Sequence, residues 1–148
     1  MIALLLALAS VPIIADGETF TCTPTRVWDG DGPVWCAEGP RLRLHGIAAR
    51  EKDGTCLPGH PCPEASAEAA TAALVQVLEP KNTRRMGSGH VALEGAPALR
   101  CISGGSAGGN RTAARCWRLD QVEISCAMTG TGTVLEWERY SRRAYREC

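Results

Sequence analysis

The stretch RVWDGDG, residues 26–32, sets Asp29 and Asp31 two positions apart and alternates them with Gly30 and Gly32. Two carboxylates brought so close repel unless a cation or a proton sits between them. Asp-Gly is also a hairpin signal, because Gly accepts positive φ and Asp bonds its own backbone. The turn alone leaves both readings open. Three further clusters carry chemical potential. Arg139, Arg142, Arg143 and Arg146 crowd the C-terminus, where a solvated helix face explains them as well as an anion site does. His60 lies between Cys56 and Cys62, but zinc favours C-x2–4-C spacing, which is absent. The run GGSAGGN, residues 104–110, lacks the Lys-Ser/Thr context of a phosphate cradle. The 16 basic and 16 acidic residues cancel, so nucleic-acid binding has no global electrostatic basis and would need local clustering.

Whatever site exists must be positioned by a single domain's worth of chain, 148 residues. An apolar run from Ile2 to Ile14, closed by Ala15, has the length of a signal-peptide core and is too short to span a bilayer as a helix. The expectation is a leader over residues 1–15, a folded domain over 16–148, and a monomer exported to the periplasm or medium with no membrane anchor after cleavage. The 8 cysteines fit an oxidising compartment. Pairing sequence neighbours gives Cys22–Cys36, Cys56–Cys62, Cys101–Cys116 and Cys126–Cys148 as the expected bridges. Residues 19–28 suit a strand with a Pro-marked irregularity, PVWCAE a second, and RLRLHGI (41–47) a half-buried third with period two. A helix is expected to open at Pro63 and run to Leu78, with Ala67, Ala70, Leu74, Val77 and Leu78 on one stripe, and Pro80 after its end. A short strand over 90–93, strands over 98–103 and 111–119, a helix from Asp120 and a last one from about Glu136 complete the expected elements. Three strands, a helix, two strands and terminal helices is the order of a five-stranded Greek-key barrel of the oligonucleotide-binding type, with an irregular α+β domain as the alternative.

Four motifs in register then carry a resemblance. A strand ends in Asp29-Gly30-Asp31. Arg43, Leu44, Gly46, Ile47, Ala49 and Glu51 spell R-L-x-G-I-x-A-x-E. Arg111 begins a strand after the glycine-rich run, and Gly132 to Ser141 reads G-x-x-x-x-W-x-R-Y-S. In this order the series resembles the thermonuclease (staphylococcal-nuclease-like) family over about residues 20–145. The resemblance implies a secreted calcium-dependent nuclease acting on DNA or RNA. It implies that Asp31 binds the metal, that Glu51 positions or deprotonates the attacking water, and that Arg43 and Arg111 hold the phosphate. The chemistry wants these types: phosphodiester hydrolysis needs a positioned water, a base and cations at the phosphoryl oxygens. Arginine donates two bonds to one phosphate, and Ca²⁺ takes carboxylate oxygens. Two family positions depart: a metal-ligating aspartate is Ala48, and a threonine after the DGD turn is Gly32. Fewer charged ligands mean weaker calcium binding; Asp29 and Asp53 are the carboxylates that could substitute, and Arg50 adds positive charge. The alternative is a weakened module that binds nucleic acid or a protein without cutting. Outside the family match, Arg43, Glu51 and Arg111 would be ordinary solvated charges, the three histidines structural, and Trp28, Trp35, Trp117 and Trp137 core residues.

Overall fold

The computed structural model describes residues 10–148. The first nine residues of the expected leader lie outside the described residues. At its end, Ile14 is bound to the body: its N–H donates to Thr112 Oγ1 at 3.1 Å and its carbonyl accepts from Ser103 Oγ at 2.8 Å. Among the described residues, no helix is long and apolar enough to cross a membrane.

The chain is α+β. The strand expected over 19–28 splits into β1 (Thr19–Cys22) and β2 (Pro24–Val27). β3 (Val34–Cys36) and β4 (Arg41–Leu44) continue the meander, and the end of RLRLHGI becomes β5 (Ile47–Ala48). After α1 (Ala67–Leu78) come β6 (Asn82–Arg85), β7 (Val91–Glu94), β8 (Leu99–Ser106) and β9 (Thr112–Trp117). Then follow α2 (Ile124–Gly130), β10 (Leu135–Glu136) and the one-turn α3 (Glu138–Ser141).

Eight strands form one sheet in the order β1-β8-β9-β4-β3-β2-β7-β6, and β5 pairs with β10 in a separate ribbon. All pairs are antiparallel except β4 with β9. The expected five-stranded closed barrel is not what forms. β1 and β6 are the two edges of the large sheet and do not pair, so the sheet stays open. The extra strands come from breaks at Thr23 and His45–Gly46, and from the β6–β7 hairpin. Alternation places Leu42 and Leu44 of β4, and Thr112, Ala114 and Cys116 of β9, on the buried face, where they join Leu74, Ile124 and Met128 in one core.

Helix α1 starts four residues later than Pro63. Ser66 caps it, its Oγ accepting from Ala69 N at 3.1 Å, and Pro63 belongs to the preceding loop. Glu79 in the left-handed region ends it ahead of Pro80. Its buried side is Ala67, Ala70, Thr71, Leu74 and Leu78, with Val77 only half-buried. The terminal helix is shorter than expected because Arg142 and Arg143 take positive φ. The arginine cluster therefore lies mostly on a turn. All four neighbour-paired disulfides are present, including Cys101–Cys116, which joins directly opposed residues of β8 and β9.

Candidate active site

The DGDG segment closes the β2–β3 hairpin, with Trp28 N–H donating to the Pro33 carbonyl at 3.2 Å. It is also anchored to the end of β4, because Leu44 N–H donates to the Asp31 carbonyl at 2.9 Å. Two glycines permit this approach. A Cβ at Gly30 would lie 2.4 Å from Ala70 Cβ of α1, and one at Gly32, where φ is +116°, would lie 2.4 Å from the Leu42 carbonyl oxygen. The threonine of the family pattern has no room at position 32 in this packing.

Docking the turn against β4 brings together residues far apart in the chain. Asp31, Arg43, Glu51 and Arg111 all line one cavity of about 440 Å³, with Trp28, Asp29, Trp35, His60 and His90 among its walls. Arg43 is held from three sides: Nη1 donates to the carbonyls of Leu44 and Ile47, each at 2.9 Å, and Nη2 donates to Asp31 Oδ2 at 3.1 Å. The same Asp31 oxygen accepts from Ala49 N–H at 2.9 Å. The turn carboxylate therefore orients an arginine. Arg111 is fixed by bonds from Nη2 to the Ala107 carbonyl, 3.0 Å, and from Nε to the Gly108 carbonyl, 3.3 Å.

Glu51 follows β5 at the head of the disulfide-bridged loop, its backbone N–H bonded to the Thr55 carbonyl. Among the described residues its carboxylate has no hydrogen-bond partner, so it is free to face a water. Burial, then the Asp31 charge, pushes Glu51 above its ordinary value, while His60 and Arg43 pull it back. Asp29 is only 5% exposed. Burial first, and then the neighbouring Asp31, pushes its pKa up to about 9, so it carries a proton at neutral pH. That proton answers the repulsion posed by the paired turn carboxylates.

The residues present are a poor fit to a hard-cation cage. Ala48 is fully buried and offers only a methyl group, one Asp31 oxygen is already engaged twice, and Asp29 is neutral. Asp53 turns its Oδ1 to Thr55, and Arg50 turns to the carbonyls of Gly54 and Pro63, so neither of these joins the cavity wall. Among the described residues no group of three Asp, Glu, His or Cys side chains could hold a metal. What remains is Glu51 and a partly engaged Asp31 carboxylate.

The aromatic residues differ from expectation. Trp28, Trp35, Trp117 and Trp137 are all half-exposed, because each packs beside a cation or a histidine on the outer surface. Trp28 and Trp35 wall the first cavity. Trp137 and Tyr140 wall a second of about 450 Å³, which shares Arg43, His60 and Arg111 with the first. His60 sits 4.2 Å from Trp137, and His90 lies between Trp28 and Trp35 at 4.6 and 4.8 Å. These histidines carry no motif of their own; only the tertiary packing brings them here. Comparison of the chain with protein-family models, with curated proteins and with solved structures finds no match.

Proposed function

We propose that this chain is an exported phosphodiesterase of the thermonuclease type that hydrolyses DNA or RNA, with Glu51 as base and Arg43 and Arg111 as the phosphate clamp. The observation that carries the reading is the convergence of Arg43 and Glu51 with Arg111, which is remote from both in the chain, on one cavity. The guanidiniums approach from different elements, as needed to neutralise two phosphoryl oxygens as charge builds on them. Glu51 takes the proton of a water whose oxygen bonds to phosphorus. The bond from phosphorus to the leaving sugar oxygen breaks, and that oxygen takes a proton from solvent. Asp31 keeps Arg43 in place. Calcium at Asp31, as the resemblance implies, would add a further cation at the phosphate, but the carboxylates here are few for it, and the two arginines carry the charge stabilisation in this reading. Trp137 and Tyr140 give the neighbouring recess aromatic faces for a base. Export is the compartment that four disulfides are compatible with.

Ala48 and Gly32 favour a second reading, a module that binds the strand without cutting it. One assay separates them: cleavage of end-labelled single-stranded DNA and RNA by the wild type and by Glu51→Gln, with added calcium and with chelator. The reading expects wild-type cleavage that Glu51→Gln loses by about 10²–10⁴-fold. Equal cleavage by both refutes the mechanism. No wild-type cleavage in either condition leaves the binding module.

A further inference from the structure

We propose that the exposed face of the β6-β7-β2-β3-β4 half-sheet is a docking track for the phosphate backbone of single-stranded nucleic acid, leading from the cavity through Arg41, Arg26 and Arg84. The track rests on the reading of the cavity as a phosphodiester site and extends it from one phosphate to a polymer.

Strand register makes the track. Arg84 of β6 lies opposite Ala92 of β7, Ala92 opposite Arg26 of β2, Arg26 opposite Trp35 of β3, and Trp35 opposite Arg41 of β4. Directly opposed residues share a face, so these five form one row, about 19 Å long at the usual strand spacing. The row holds three arginines and no acid. Arg26 and Arg41, on either side of Trp35, both lie over its indole, with ring distances of 4.7 and 5.1 Å. Among the described residues, Arg26, Arg41 and Arg84 make neither ion pairs nor side-chain hydrogen bonds. Charges so arranged repel one another, and an indole face steadies a guanidinium without neutralising it.

The row is continuous with the cavity. Trp35 belongs to both, and Arg43 follows Arg41 by two residues on the same face of β4. Trp35 Nε1 is the one buried side-chain polar atom among the described residues with no hydrogen-bond partner. Lys52 Nζ, 3.7 Å from the ring of the cavity residue Trp28, adds charge beside it. The positive field registers on His90, whose pKa is lowered by burial first and then by Arg26, Lys52 and Arg41. A polyanion with evenly repeated phosphates is the complement of such a row. The aromatic rings at the mouth suit unpaired bases, which a duplex does not offer.

The test uses the oxidised chain in a Glu51→Gln background and the fluorescence anisotropy of a labelled single strand of about twelve nucleotides. Three lost phosphate contacts, each worth about 0.7 in the salt slope, should flatten log K against log[salt] by about 2 in Arg26→Ser/Arg41→Ser/Arg84→Ser. Affinity near 0.1 M salt should then fall about 100-fold. Arg84→Ser alone, at an exposed position of the edge strand β6, should flatten the slope by about 0.7. With Glu51 restored, the triple variant should cleave a dinucleotide as the wild type does and lose only its advantage on the long strand. Unchanged slope and affinity, equal loss on dinucleotide and long strand, tighter binding of a blunt duplex, or equal competition by polyglutamate would each overturn the track. Salt-dependent strand binding by a wild type that cleaves nothing would keep the track and sink the hydrolysis reading.

Discussion

Removing the Arg43 side chain should destabilise the fold, and a third or more of that cost should vanish when Asp31 is neutralised with it. The two side chains are only 15% and 13% exposed, and their charged atoms are 3.1 Å apart, so solvent screens the pair little. Stripping one partner from a buried pair costs about 3–5 kcal/mol, because the other charge is left uncompensated. Asp31 keeps the Ala49 N–H, which puts Arg43→Ala at the low end, about 3 kcal/mol. At this chain length that is a fall of about 6–12 °C in Tm. Asp31→Asn keeps an acceptor for Ala49 and removes the charge. The double variant should therefore show a coupling energy of about 1–3 kcal/mol in a double-mutant cycle. Urea unfolding of the oxidised chain, followed by circular dichroism and tryptophan fluorescence, measures each corner. A coupling below about 0.5 kcal/mol would refute the claim that the turn aspartate serves to hold the arginine.

Stability should fall as pH rises from about 4 towards 9: the folded state holds a proton on Asp29 across that range, whereas the unfolded chain releases it near 3.8. Asp29→Asn should remove that fall in Tm-against-pH scans, and a slope that persists in the variant would assign it elsewhere. If Glu51 is the base, the acid limb of kcat/KM should sit above the ordinary glutamate range, and Asp31→Asn, which removes one of the charges raising it, should move the limb to lower pH; an unmoved limb would point to another base. Replacing Cys101 and Cys116 with alanine opens a loop of sequence separation 15 and should cost about 3 kcal/mol or more, since both residues are also core. A loss under about 1 kcal/mol on urea unfolding would show that the β8–β9 pairing alone holds that loop.

Local signals were legible where one residue type decided the backbone. The DGDG hairpin, the apolar stripe of α1 and the period-two strand at Arg41–Leu44 follow from such signals. The four disulfides match neighbour spacing. Asn82–Arg85 hid its strand because all four residues are exposed and show no alternation; pairing with β7 alone makes it extended. Gly104–Ser106 read as loop and instead continues β8 through a register shift. The barrel expectation failed on connectivity, since counting strands does not say which edges meet. Motif order singled out Asp31, Arg43, Glu51 and Arg111, and all four line one cavity. His60, His90 and the wall tryptophans carry no such motif and reach the cavities through long-range contacts. The arginine row needed strand register, which the sequence does not carry for a hairpin it does not reveal.

The most direct test of the phosphate site is a crystal structure of Glu51→Gln with a single-stranded dinucleotide bearing a phosphorothioate link. The account predicts the phosphorothioate in the shared cavity, within hydrogen-bond reach of both Arg43 and Arg111, with residue 51 facing phosphorus opposite the leaving oxygen. A dinucleotide bound with its phosphate away from either arginine would contradict it.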